Sequence, residues 1–450
     1  MAGGIFTSQN KVLPGVYINT KSSGNVTANI GTKGVVAICE PLSWGATGVI
    51  SKYIPGEDPT PLIGSDITSD DALFLREMMK GSDVTTAPIQ ILLYRPTGAS
   101  GVKATATIGA LTATAKYVGT RGNDITIIIS ADPDISGNYI IETSIDGRIA
   151  DAQSVANLSS LVSNEWVDFT GTGTTITTTA GTALTTGANP TVSTTDYSAF
   201  LTALEPYTFD IVCYDGADST VRTAMASFVE RVSNSIGKKC QAVLSGGTAI
   251  NSEWVINVNN GVKLADGTAL TAAQATWWVA GAEAGAQYNQ SLTYAQYPGA
   301  VEANPKKTNA QVEEAVLAGD IVFIDDFDIV KICTDINTLT TVTPTKGKEF
   351  KKNRVMRTLN QICNDFYEHI SNYFIGKVDN NASGRNLIKG WCVGYLNEMQ
   401  ANNGIQNFTS QDIEVLPGSD IDAVVVNVGI QPVDSVEKIY TTITVSVASE

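Results

Sequence analysis

Residues 319–374 read GDIVFIDDFDIVKICTDINTLTTVTP, TKGKEFKKNR and VMRTLNQICNDFYEHISNYF in succession, and their reading decides the fold. The first portion predicts strands at Ile321–Ile324, Ile329–Ile336 and Leu339–Thr343, where β-branched residues dominate and Asp and Asn punctuate. The last portion predicts a helix. Val355/Met356, Leu359, Ile362/Cys363, Phe366/Tyr367, Ile370 and Tyr373/Phe374 recur at helical spacing and fall on one stripe. Between them stand Lys346, Lys348, Lys351, Lys352, Arg354 and Arg357, with Glu349 the one acid, in a chain of formal net charge −16. Cations at a helix start oppose its macrodipole, so a basic cluster placed there asks for an acidic partner.

Working outward, GKVDNN predicts a turn, NLIKGWCVGYLNEMQANNG a second helix ending at Gly404, and DIEVLP and DAVVVNVGI strands. The closing run EKIYTTITVSVAS places Ile439, Thr441, Ile443, Val445 and Val447 on one face of a half-buried strand with no pairing partner after it. Upstream of the central stretch, YTFDIVCYD, CQAVLS and EWVINV read as strands, and STVRTAMASFVERVSNSIG as a helix. Such alternation predicts a mainly parallel sheet with right-handed crossovers. A further helix over 271–287 carries Gly281 and Gly285 four apart, a spacing that admits a close backbone neighbour, most simply in its own core. Nearer the start, GVVAICE and PIQILLYR predict buried strands. SDDALFLREMMKG between them predicts a helix capped by Ser69, with Asp70 and Asp71 in its first turn and Gly81 as its stop.

Composition changes between these α/β stretches. Short alternating strands (ATATIGALTATAKYVG, DITIIISA, NYIIETSI) give way to residues 170–195, of which 13 of 26 are Thr, marking a β-domain edge that runs into a linker. VLPGVYINTK, near the start, reads as an extended arm. The expected fold is therefore α/β and α+β multidomain. An arm (1–25) precedes an α/β domain (26–98 and 190–343) interrupted by an inserted β-sandwich-like domain (99–189). An α+β C-terminal domain (344–450) ends the chain in a strand.

The acidic balance argues against polyanionic partners, so neither nucleic acid nor a membrane surface is expected. The start MAGGIFTSQNKVLPG has no apolar core, and no run approaches the ~20 apolar residues of a membrane span. Cys39, Cys213, Cys240, Cys333, Cys363 and Cys392 lack CxxC spacing and read as buried free thiols of a reducing compartment. His369, the one histidine, falls on the polar side of its helix and reads as an exposed residue. Asp325, Asp326 and Asp328, like Asp132, Asp134 and Asn138, depart from a calcium-loop pattern and read as turn residues. VGTRGND lacks the Lys-Ser/Thr of a phosphate loop. No catalytic, metal or cofactor site is expected, which favours a structural protein.

The order of these motifs carries a resemblance. TDINTLTT, then FKKNRVMRTLNQI, then YFIGKVDNN, with WWVAGAEAGAQYNQSLTYAQYPGA before them and QPVDSVEKIYTTITVSV after, resembles the sheath proteins of contractile tails. These belong to phages and phage-like bacteriocins, especially of the PBSX-like and Gram-positive R types. The resemblance covers the chain from Trp277 onward and the first hundred residues loosely. It implies a homo-oligomer of stacked six-fold rings around an inner tube protein, bounded by baseplate and tail terminator proteins. It also implies assembly in the bacterial cytoplasm, and contraction from a metastable extended state. On this reading Val16, Tyr17 and Ile18 of the arm, and Ile439, Ile443, Val445 and Val447 of the last strand, are exchanged between subunits, because unpaired edges template pairing between chains. Lys346, Lys348, Lys351, Lys352, Arg354 and Arg357 would then face an acidic tube or a neighbouring subunit. A surface-layer or adhesive protein would need a secretion signal, and a nucleotide- or sugar-binding enzyme a phosphate loop or catalytic cluster.

Overall fold

The computed structural model describes residues 3–4, 16–17, 30–31, 33–246 and 250–445. Val35–Cys39 (β1), Ile50–Tyr53 (β2) and Gln90–Tyr94 (β3) come first, with Leu73–Met78 (α1) between the last two. Ser69 makes no side-chain cap here. Its hydroxyl donates to the Asp66 carbonyl at 2.8 Å, and a 3-10 turn at Asp70–Ala72 leads into α1.

The chain then leaves the sheet for an antiparallel excursion. Lys103–Ile108 (β4), Leu111–Val118 (β5), Ile125–Ala131 (β6), Tyr139–Ile145 (β7), Arg148–Val155 (β8), Val167–Gly171 (β9) and Thr179–Ala183 (β10) form two sheets, ordered β9-β5-β4 and β8-β7-β6-β10. Their inward residues, among them Ala104, Ala113, Ile127, Ile129, Ile141 and Val167, make one core. The Thr-rich tract is not a loose linker. Thr185, Ala188 and Thr191 run antiparallel against Thr105, Val102 and Ala99, so the excursion closes where it opened.

Thr194–Leu204 (α2), Ile211–Cys213 (β11), Ser219–Arg231 (α3), Gln241–Ser245 (β12) and Val255–Val258 (β13) resume the α/β pattern. Gly261–Leu264 (β14) and Ala269–Leu270 (β15) lead to Ala272–Gly285 (α4), then Ala300–Asn304 (β16), Asn309–Ala318 (α5) and Asp320–Ile321 (β17). The central sheet has seven strands in the order β17-β13-β12-β11-β1-β3-β2, parallel except for β2. Strands buried on both faces read as continuous apolar runs, and successive residues feed opposite layers. Val36, Ile38, Ile91 and Leu93 join α1 and α4, whereas Ala37, Cys39, Leu92 and Tyr94 join α2 and α3. Gly281 and Gly285 do admit a close neighbour within this core. A Cβ on either would collide with the carbonyl of Met78 or of Thr86.

Phe323–Asp326 (β18) and Ile329–Ile332 (β19) form a hairpin, and Asn353–Tyr373 (α6) and Ala382–Ala401 (α7) follow. Ile405–Gln406 (β20) pairs with Gln431–Pro432 (β23), and Ile413–Pro417 (β21) with Val424–Val428 (β22). The fold is the expected α/β and α+β multidomain one, with its β-sandwich between the two α/β stretches. The expected strand Leu339–Thr343 is not formed, and the one before it stops at Ile332. In place of a ladder, Asn337 N–H donates to the Lys351 carbonyl at 3.0 Å and Thr338 N–H to that of Val255 at 2.9 Å. The closing run is not half-buried within the subunit either. Ile439 is 81% exposed, Ile443 84% and Val445 82%, so the face its alternation would bury is open.

α6 spans two cores. Met356 packs beneath the central sheet with α3, whereas Ile362, Phe366 and Ile370 pack with Trp391, Tyr395 and Met399 of the C-terminal layer. Its first half is covered on the polar side as well, since Asn353, Arg357, Asn360 and Gln361 are buried.

Candidate assembly interface

The motif TDINTLT and the basic segment meet in one buried polar network. Arg357, 2% exposed, donates from Nη1 to Glu283 of α4 and from Nη2 to Asp335 Oδ2 at 2.6 Å and the Gln290 carbonyl at 2.7 Å. Asn353 Nδ2 reaches Asp335 Oδ1 at 2.8 Å and Glu283 Oε1 at 3.2 Å, and Leu292 N–H donates to Asp335 at 2.9 Å. Burial first, then the neighbouring Asp335 charge, raise the Glu283 pKa well above its ordinary value. Burial is the largest influence on Asp335 and works against its ionisation, but the Arg357 guanidinium and the hydrogen bonds from Glu283, Leu292 N–H and Arg357 together outweigh it, and the Asp335 pKa is lowered. The two shifts run in opposite directions: the site favours an ionised Asp335 beside Arg357 and disfavours ionisation of Glu283. This buried triad joins α6 to α4, with Arg357 Nε and Asn353 Oδ1 left without a partner among the described residues.

Most of the basic cluster finds partners inside the chain, though not locally. Local counting saw only Glu349, but the acids come from far away. Lys346 pairs with Glu253, and Lys352 with Glu437. Lys351 Nζ donates to the Val316 carbonyl at 2.8 Å, at the last turn of α5, where a cation suits the helix dipole. Arg354 reaches the Asn403 carbonyl at 3.4 Å. Lys348 is exposed. Arg357 is sealed inside the subunit, so it cannot touch a tube in this conformation.

Both terminal segments leave from α6. Gln361 Nε2 donates to the Gly31 carbonyl at 3.1 Å, and Gly31 N–H donates to Asp365 Oδ2 at 3.1 Å. Asp365 is itself held by the Tyr395 hydroxyl at 2.6 Å. At the other end Glu437 accepts from Lys352 and, at 2.8 Å, from Thr293 Oγ1. Beyond Glu437 none of the described residues covers the apolar side chains named above. In the arm, Val16–Tyr17 pairs in parallel with Gly3–Gly4, while Ile18 and Val447 lie outside the described residues.

Two single-residue expectations are corrected here. His369 is half-buried. It stacks on Trp391 with ring centroids 4.0 Å apart, and burial lowers its pKa. Cys363 is exposed rather than buried, although all six thiols are free. It lies on a groove of about 650 Å³ along α6, lined by Leu359, Ile362, Phe366, Tyr367 and Val428. Sequence reasoning missed Glu283, whose signal was a lone acid inside an otherwise apolar helix. It also missed the role of Asp335, quoted in a motif but read as strand. Among the described residues no helix is long and apolar enough to cross a membrane.

Comparisons with known proteins agree with this arrangement. Residues 99–189 match the phage tail sheath protein beta-sandwich domain, 191–338 the phage tail sheath protein central domain, and 345–446 the phage tail sheath C-terminal domain. The phage-like element PBSX protein XkdK of Bacillus subtilis is 32% identical, over 98% of this chain and 99% of its own length. The crystal structure of a sheath tail protein from Desulfitobacterium hafniense is 41% identical, with a TM-score of 0.85 over 95% of this chain and 99% of that one. A sheath tail protein from Listeria innocua is 32% identical, with a TM-score of 0.76 over 91% and 94%. The strands and helices described above are thus those of a phage tail sheath protein, and this chain belongs to that family.

Proposed function

We propose that this chain is the repeating subunit of a contractile sheath, in a phage tail or an R-type bacteriocin. Copies assemble in the bacterial cytoplasm as stacked six-fold rings around an inner tube, between a baseplate and a terminator. They are held in an extended state whose lifetime is set by a barrier, and their shortening drives the tube through a target envelope. The observation that carries this reading is the segment after Glu437, whose apolar side chains Ile439, Ile443 and Val445 alternate and are all exposed. Such a segment gains main-chain hydrogen bonds and buries apolar area only by pairing with another chain. The hairpin β21–β22 is a two-stranded sheet with open edges able to receive it. The arm with Val16, Tyr17 and Ile18 would make the second exchange, and Val447 would extend the first. Of the six cations of the basic segment, Lys348 is the exposed one, and it would meet an acidic tube through a contact screened by salt.

Removing residues 438–450 tests the reading, because the cut spares Glu437 and its bonds to Lys352 and Thr293. The shortened protein is expected to melt like the full chain yet to remain monomeric in sedimentation and form no tubes in electron micrographs. Normal tubes from it would refute strand exchange at this end.

A further inference from the structure

Lys33, just before β1, has 14% of its side chain exposed and no hydrogen-bond acceptor for its ammonium among the described residues. The nearest carboxylate oxygen is Asp210 Oδ1 at 3.9 Å, beyond hydrogen-bond reach. The other oxygen of Asp210 is spent on the N–H groups of Gly34 and Val35, at 2.8 and 3.0 Å. Burial, the largest influence, lowers the Lys33 pKa, and the Arg357 guanidinium adds to it against the opposing charges of Asp210, Glu283 and Asp365. Lys351 makes the contrast. Burial and the neighbouring Lys352 lower its pKa too, but its ammonium donates to the Val316 carbonyl at 2.8 Å, a charged hydrogen bond that a neutral amine would forfeit. Lys33 has no such bond to lose. It also has open space beside it, because it lines a cleft of about 440 Å³ with Thr86, Gln287, Asn289, Gln361 and Asn402. A lysine that is desolvated, loosely held and open to a polar cleft is placed to act as a nucleophile.

We propose that Lys33 is a modification site, the amine of this chain that small acyl phosphates acylate first. The ammonium gives one proton to water, and the freed lone pair of Nζ attacks the acyl carbon. A C–N bond forms as the C–O bond to phosphate breaks. Phosphate leaves with that electron pair and takes the second proton from nitrogen. The product is a neutral amide, and a cleft of this size has room for the acyl group. Gly31 and Gln361, whose hydrogen bond fastens the arm, also line the cleft, so the added group lands at the arm's root. The proposal stands apart from the sheath reading, since it concerns the single subunit.

The test treats the unassembled full chain with acetyl phosphate and follows each lysine by mass spectrometry. Near neutral pH, Lys33 should acetylate about threefold or more faster than exposed Lys348 and carbonyl-bound Lys351. Its rate should also level off at a lower pH than that of Lys348, which mere accessibility would not produce. Both differences should vanish in urea, where the burial is gone. A Lys33 rate equal to or below that of Lys348 would overturn the proposal. So would a rate that levels off no earlier than that of Lys348, or a preference that persists in the unfolded chain.

Discussion

At Arg357 one guanidinium serves two carboxylates where water is excluded. Such an arrangement contributes little against a well-packed apolar alternative, but removing one member strands the others. Arg357→Met is accordingly expected to cost about 3–5 kcal/mol in chemical denaturation, whereas Lys348→Met, at an exposed site, should stay within about 0.5 kcal/mol of wild type. Glu283 supplies a pH signature. Its folded pKa lies above the ordinary 4.5. As pH climbs from there, the unfolded chain releases a proton that the folded chain retains, and stability falls until the folded pKa is passed. Glu283→Gln cannot ionise, so its melting temperature should gain on wild type with increasing pH. Parallel curves from pH 5 to 9 would contradict a protonated Glu283. None of this was legible from charge counting along the chain, because Glu283 and Asp335 lie well upstream in sequence of the cation they hold. The lone acid in AAQATWWVAGAEAG and the single acid in TDINTLT were the available signals.

Among the elements, helices were the more legible. Periodicity placed α3, α6 and α7, since apolar residues spaced at 3.6 line up on one face only when the backbone is helical. The failure at Leu339–Thr343 has a definite cause. Its Thr and Val residues have strand propensity, but Leu339 N–H is spent on Asn337 Oδ1 and those of Thr340 and Thr341 on Asn251 Oδ1, so side-chain partners overrode local preference. Two glycines separate close packing from mere presence. Gly281→Ala would drive a methyl into the Met78 carbonyl and should cost about 1–3 kcal/mol or more. Gly390 lies inside α7 with nothing within 4 Å of its missing Cβ, so Gly390→Ala should stabilise by about 0.5–1 kcal/mol. Thermal melts of the two variants should move in opposite directions.

For the whole molecule, the excursion between β3 and α2 closes on itself through the Ala99 and Thr191 bridge. We propose that it is dispensable to assembly, with one qualification that the sequence did not disclose. Trp44 of the α/β layer is buried in the sandwich core, and Arg95 donates to the Val118 carbonyl at 2.7 Å. Replacing residues 99–189 with a short Gly/Ser linker should therefore yield soluble protein only when Trp44→Ser accompanies it, and that protein should still form tubes. Loss of soluble expression in both forms would make the excursion part of the core. The roots of the two terminal segments have a mechanical consequence. Residue 31 is fastened at Gln361 and Asp365, and Glu437 at Lys352, all on or directly before α6. At 1.5 Å per residue these attachments are about 14–20 Å apart along one helix. If neighbours grip both segments, tension enters and leaves the subunit through that helix and bypasses the seven-stranded sheet and the sandwich. Each copy would then act as a short link in mail, its bulk hanging unloaded beside the line of pull, and the first part to yield under strain would be the ion pair at Glu437.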